Sequence, residues 1–410
     1  MMYKKTIYII TILLLAYSFR TFGQNTDNDK PAVTFGGYIN WTGVYDSRQT
    51  VSLREGQFLL YPANAQKDQF GMDINEKDNF NFLSVQTRLN AKIEGLEAFG
   101  AATNGFVEGE FFGTSDGDAN GFRLRHAYVE FKWTNSKLVL GQTWHPMFIS
   151  DAFPQVISFN TGVPFQPFSR NPQIKFIQTF NTISFQTVLY SQRDFTSNGP
   201  NGYSSSYLKN SAIPAVDFQF RINSKPILLG VGIDYKVLTP RIETTKKIAT
   251  ENTIKSFAGM AYFKYSQQLF SFITEGIYGQ NMTDLMMLGG YAVSKVDSVS
   301  GEETYTNIDA FSLWADVSYG KEFQVGLFAG YSENLGSDDE IVGKNYSRAE
   351  NLGQLFRIAP RVQYTIGKMK MGCELEFTQA GYGTPDIYGK ISNGQKINNT
   401  RFLIGLFYNI

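Results

Sequence analysis

Apolar residues recur at every second position in one segment of this chain after another, and the gaps between those segments alternate between long and short. A period of two places side chains on opposite faces of a strand, so such a segment shows one face to an apolar phase and the other to water. In residues 33–46, Val33, Phe35, Ile39, Trp41 and Tyr45 share a face with Gly37 and Gly43, while Thr34, Asn40, Thr42 and Asp46 share the other. Residues 83–93 set Leu83, Val85, Leu89 and Ile93 against Gln86, Arg88, Asn90 and Lys92. Near the C-terminus, Phe356, Ile358, Val362 and Tyr364 alternate with Arg357, Arg361 and Gln363.

Sixteen segments of this kind are found, at 33–46, 80–93, 104–113, 122–134, 136–143, 173–180, 182–192, 214–223, 226–238, 254–266, 269–281, 307–320, 322–334, 353–367, 369–381 and 400–410. Many exceed the roughly 5–6 residues usual in soluble sheets and suit a tilted membrane crossing of about 9–11 residues. The gaps at 47–79, 144–172, 193–213, 239–253, 282–306, 335–352 and 382–399 are long, whereas those around Asn135, Asn181, Gln268, Lys321 and Lys368 are very short. This sorting predicts an all-β fold: a transmembrane antiparallel β-barrel of about 16 strands, with long extracellular loops and short periplasmic turns. The first and last strands must pair, because an open edge in lipid would strand backbone groups without partners. Composition agrees, with 15% aromatic and 18% charged residues and a mean hydropathy of −0.22. Beyond the N-terminus no run reaches the ~20 apolar residues that a spanning helix needs.

Residues 1–23 read as a secretory signal peptide. Lys4 and Lys5 precede the apolar run Thr6–Ala16, and small or polar residues follow, which predicts cleavage between Gly23 and Gln24. Residues 24–32 then form a short periplasmic segment and residues 33–410 the barrel. Removing residues 1–23 takes away Lys4, Lys5 and Arg20 and no acid, leaving 34 basic against 37 acidic groups, a net charge of −3. Nothing here suits a nucleic-acid partner. The sole cysteine, Cys373, cannot form an intramolecular disulfide.

A barrel of about 16 strands encloses an aqueous channel unless something fills it. The 29-residue gap 144–172 holds Trp144, His145, Phe148, Phe153 and Phe159 and five prolines, so it is too apolar and too stiff for a free surface loop. It is expected to fold inward and narrow the pore, with packing between subunits as the alternative. By parity Arg88, Arg221, Arg357 and Arg361 face the lumen together with Glu108, Glu110, Glu374 and Glu376. Arg357 and Arg361 share a face about 13 Å apart and are expected to hand an anion along the pore. Pairing of the acids with the bases into a stiffened wall is the competing reading.

The run FRLRHAYVEF at 122–131, LVLGQTW at 138–144 and SRNPQIKF at 169–176 together resemble the DcaP-like porins and their phosphate-selective relatives. The matched positions include Arg123, Arg125, His126, Gly141, Gln142, Trp144, Arg170 and Lys175. The resemblance covers some 55 residues; His145 and Pro146 after Trp144, and Ile410 at the end, depart from the family's pattern. It implies a 16-stranded homotrimer in the Gram-negative outer membrane that takes up small anionic solutes such as carboxylates, with basic residues at a constriction. No cofactor is implied, and no metal-ligand spacing or phosphate-cradling loop is present. A barrel acting as a scaffold for secretion or adhesion is a second reading. An outer-membrane hydrolase is a third, weakened because His126 and His145 are the only imidazoles and no nucleophile motif stands near either.

Overall fold

The computed structural model describes residues 31–392 and 394–410; the signal segment and most of residues 24–32 lie outside these. The wall begins with β1 (Ala32–Asp46), β4 (Asn79–Leu83), β5 (Arg88–Ala98), β6 (Ala101–Glu110), β7 (Arg123–Lys132), β8 (Ser136–Trp144), β9 (Arg170–Phe180) and β10 (Ile183–Tyr190). It continues through β11 (Ala215–Ser224), β12 (Ile227–Leu238), β13 (Ile254–Gln267), β14 (Phe270–Gln280), β16 (Glu303–Gly320), β17 (Phe323–Gly336), β18 (Leu352–Ile366), β19 (Met369–Tyr382) and β20 (Gln395–Asn409). Each pairs antiparallel with its neighbours, β4 and β5 are two halves of one crossing, and β1 pairs with β20 from Tyr38–Asn409 to Asp46–Arg401. The wall is therefore a closed antiparallel barrel of sixteen crossings, and each of the sixteen segments read from periodicity corresponds to one of them. Three further strands, β2 (Thr50–Leu53), β3 (Phe58–Pro62) and β15 (Gly290–Val296), belong to the long loops.

The barrel is apolar outside and polar within. Phe35, Ile39, Phe218, Ile233 and Phe257 are exposed on the outer surface, whereas Asn40, Thr42, Asp46, Asp217 and Arg401 are buried inside. Only an apolar surrounding phase makes that arrangement stable, and closure leaves no edge unpaired within it. Short turns join the strands at one end, with positive φ at Phe99, Asn181 and Gln268 helping to close them. Long loops occupy the other end; their one α-helix among the described residues is Ser206–Asn210.

Two of the wall's bulges change which side chains turn inward beside the site. Thr42 pairs with Leu83 and Tyr38 with Arg88, so three residues of β1 face four residues, 84–87, on the partner side. Asn40 N donates to the Thr87 hydroxyl (3.1 Å) where the ladder is interrupted. The extra residue turns Leu83 and Val85 into the barrel, correcting the expectation that they share the outer face of Leu89 and Ile93. On β7, Glu108 pairs with His126 and Gly109 with Leu124, so Arg125 is the extra residue, and Arg125 and His126 both point inward.

Candidate functional site

The segment 145–169 leaves β8 and returns to β9 through a neck closed by His145 N donating to Ser169 O (2.9 Å). Between these points it lies inside the barrel. Gln219 of β11 donates to Pro146 O (2.7 Å), Lys264 of β13 donates to Asp151 O (2.7 Å), and Arg221 pairs with the Asp151 carboxylate. Ile157 N and Ser158 N donate to the Glu374 carboxylate of β19 (2.7 and 3.3 Å), and Ser312 of β16 donates to Phe165 O (2.9 Å). Phe165 lies on Phe328 of β17, which is half the ring away from β8. Ile157 sits where Gly372 of β19 leaves room: a Cβ there would come within 1.9 Å of the Ile157 side chain.

A second loop joins it. Residues 47–78 read as polar, yet their hairpin β2–β3 carries Phe58, Leu59, Leu60 and Tyr61 into the interior, where all four are buried. Phe58 packs against Phe168 (5.0 Å between ring centres) and Phe159 (5.6 Å), and Phe159 stacks on Phe112 (4.2 Å). Arg357 ties the two loops together, donating to Val163 O (2.8 Å) and Leu60 O (2.7 Å) while its Nε holds the Thr378 hydroxyl (2.8 Å). Outside the membrane, burial acts to raise the Asp73 carboxyl, but the N–H groups of Gln66 and Asn75 and the Arg48 guanidinium hold it below the usual range and pin the outer part of this loop.

Beside this aromatic cluster four guanidinium groups converge on one carboxylate. Glu110 contacts Arg125 (2.6 Å), Arg123 (2.7 Å), Arg88 (3.0 Å) and Arg170 (3.7 Å). Glu108 takes a further bond from Arg125 (2.7 Å), and Asp194 receives Arg170 (2.7 Å) and Arg123 (3.0 Å). Aromatic faces cover the cations: Arg170 and Arg125 lie over Trp144 (4.9 and 5.5 Å) and Arg123 over Phe112 (4.7 Å). Gly141, at φ +135°, brings β8 so close to β7 that a Cβ would meet Ala127 O at 2.2 Å, and Gln142 donates to Arg125 O (3.2 Å) at the bulge. The three quoted motif pieces therefore form one physical unit, in which Arg123, Arg125, Trp144 and Arg170 are in contact or share a carboxylate.

Below this unit, toward the short-turn end, is a cavity of about 520 Å³. Arg88, Arg125, His126 and Glu108 line one side of it, Trp144, Phe148, Phe153 and Phe159 the loop side, and Lys370 and Phe407 the adjoining wall beyond β1. His126 Nδ1 shares a hydrogen bond with the Thr143 hydroxyl (3.1 Å), and Lys370 stands over the Phe407 ring (5.5 Å).

Several sequence-based expectations are corrected by this geometry. Arg357 is consumed by loop carbonyls, and Arg361 forms a buried two-bond fork with Asp316 (2.7 and 3.0 Å), so neither can pass an anion along. Arg123 and Arg170 are buried in ion pairs and do not line the cavity. Lys175 lies on the inner wall between Val139 and Val188, away from the cavity. His145 is fully buried, with its ring against Tyr190 (4.5 Å) and Nε2 4.0 Å from Asp234. Lys370 and the β2–β3 hairpin were not singled out from sequence. Lys370 is the second residue after a turn, and the FLLY run of 58–61 is the one continuous apolar run in an otherwise mostly polar gap.

No family model matches the chain, and no curated protein matches it in sequence. Solved structures do. The outer membrane channel DcaP of Acinetobacter baumannii superposes with a TM-score of 0.67 over 96% of this chain and 100% of that one, at 13% identity. The chain has a porin fold. OmpT, an outer-membrane protein of Vibrio cholerae, is similar at a TM-score of 0.55 and 11% identity over 94% and 100% of the two chains. OmpF of Salmonella typhi is similar at 0.50 and 12% over 95% and 100%. Barrels with the porin fold, an even strand number and an outward apolar belt span the outer membrane of Gram-negative bacteria.

Proposed function

We propose that the chain is an outer-membrane porin whose passage is narrowed by residues 145–169 and that favours small anions such as carboxylates. It is related in function to the DcaP-like and phosphate-selective porins and works without catalysis, as a homotrimer. The observation that carries the anion preference is the charge balance at the narrow cavity. Arg88, Arg125 and Lys370 line it against one lining carboxylate, that of Glu108, and the buried cluster behind them sets the guanidinium groups of Arg88, Arg123, Arg125 and Arg170 against Glu108, Glu110 and Asp194. At a constriction with low-dielectric walls, local charge outweighs the global −3. The aromatic residues on the loop side give a solute an apolar surface to pass while the cations attract its charge.

Lys370 is the cleanest handle, because it lines the cavity without belonging to the Glu110 cluster. Lys370→Glu is expected to move the reversal potential under a KCl gradient toward potassium while leaving unboiled mobility in SDS unchanged. A variant with the parent's reversal potential would contradict the anion reading.

A further inference from the structure

A second cavity, of about 900 Å³, opens at the long-loop end, on the far side of the Phe58–Phe159 cluster. It is bounded by four loops, 47–78, 191–214, 239–253 and 337–351, and by Tyr382 at the end of β19. Those loops are stitched to one another. Asn198 Nδ2 donates to Tyr346 O (3.2 Å) and the Tyr382 hydroxyl to Pro62 O (2.8 Å), while Arg348 Nη2 donates to Thr283 O. The cup is thus formed before any ligand arrives, and its size falls in the range of small-molecule sites.

Its polar groups are unbalanced toward donors. Arg348 spends one N–H on Thr283 O, its Nε is buried with no hydrogen-bond partner among the described residues, and its guanidinium stands 5.1 Å from the Tyr203 ring. A buried donor without a partner costs about 1–3 kcal/mol, so an acceptor placed there is favoured. Asn64 and Asn345 use their side-chain oxygens internally, accepting from Ala65 N (2.8 Å) and Ser347 N (2.8 Å), and so present their NH₂ groups. Lys344 is exposed and only 3.9 Å from Glu350, which remains as an acceptor. Tyr61 and Tyr382 supply aromatic rings to the lining.

From this combination we infer that the outer cavity is a capture site for a carboxylated sugar. The Arg348 fork takes the carboxylate, the asparagine NH₂ groups and Glu350 take ring hydroxyls, and the tyrosines pack on the C–H face. A simple dicarboxylate would leave the amides and rings unused, and a neutral sugar would leave Arg348 unmatched. The inference rests on the porin reading in treating this cavity as the outer mouth of the passage.

The test is calorimetric titration of the detergent-solubilised full-length protein with glucuronate, glucose and succinate. Glucuronate is expected to bind at least about tenfold more tightly than either of the others, a difference of about 1.4 kcal/mol. Arg348→Ala should abolish glucuronate binding and Arg348→Lys, which keeps the charge but loses the fork, should weaken it about tenfold. Unboiled mobility in SDS, read on the same samples, should match the parent. Equal binding of all three ligands, no binding of glucuronate, or undiminished binding by Arg348→Ala overturns the site. Binding that persists in a protein that passes no current would leave the site standing and remove the porin reading instead.

Discussion

Replacing residues 147–166 with a short Gly/Ser linker is expected to raise single-channel conductance several-fold and to reduce discrimination between ions of different size. Sixteen strands enclose a wide aqueous lumen when nothing fills it. Here the filling is local in sequence: the replaced segment carries Phe148, Phe153, Phe159 and Phe165 across the barrel from β8 to β17. None of the wall's strand pairings passes through it, so the barrel should still close and still migrate differently before and after boiling. The side chains it leaves behind, Glu374, Arg221 and Lys264 among them, would face water. The β2–β3 hairpin packs against the same cluster, so the two contributions should not add. Removing residues 54–61 alone should give a smaller rise than removing 147–166, and removing both the largest. Conductance unchanged by either excision would show that the current, if any, does not pass these loops.

Glu110→Gln is expected to be the most destabilising single substitution in the wall, costing about 3–5 kcal/mol, because one carboxylate neutralises four guanidinium groups. Arg125, Arg123 and Arg170 are themselves buried, and a neutral amide would leave them with only Glu108 and Asp194. Breaking a buried pair by removing one partner is far costlier than replacing the whole set by apolar groups. The reading is the urea midpoint of the detergent-solubilised barrel, compared with Arg88→Gln, which removes a more exposed member of the cluster and should cost less. A Glu110→Gln midpoint equal to the parent's would mean that the cluster is not held by this carboxylate.

The wall was legible in the sequence because its two sides meet different phases. Lipid outside requires apolar residues at alternate positions, and this requirement leaves a pattern over ten or more residues that a few exceptions cannot hide. The bulges were not legible, since LSVQTRL at 83–89 reads as unbroken alternation although the chain inserts one residue between β4 and β5. Parity placed Arg357 and Arg361 inside, where they are, but could not tell a pore-facing cation from one committed to Asp316 or to loop carbonyls. That distinction depends on what packs into the lumen, and loop paths carry no periodicity. The β2–β3 hairpin illustrates the limit: the four apolar residues at 58–61 in a mostly polar stretch mark something buried, without marking where. The resemblance of the three motif pieces carried more than periodicity could, because Arg123, Arg125, Trp144 and Arg170, distant in sequence, share one cluster.

The central claim is that solutes cross the membrane through this barrel past a cationic narrowing. It is tested most directly by current through the unmodified protein in a planar bilayer under a KCl gradient. The account expects discrete conductance steps with a reversal potential displaced toward that of chloride. Absence of steps from correctly folded barrel, or a reversal potential displaced toward that of potassium, would contradict it.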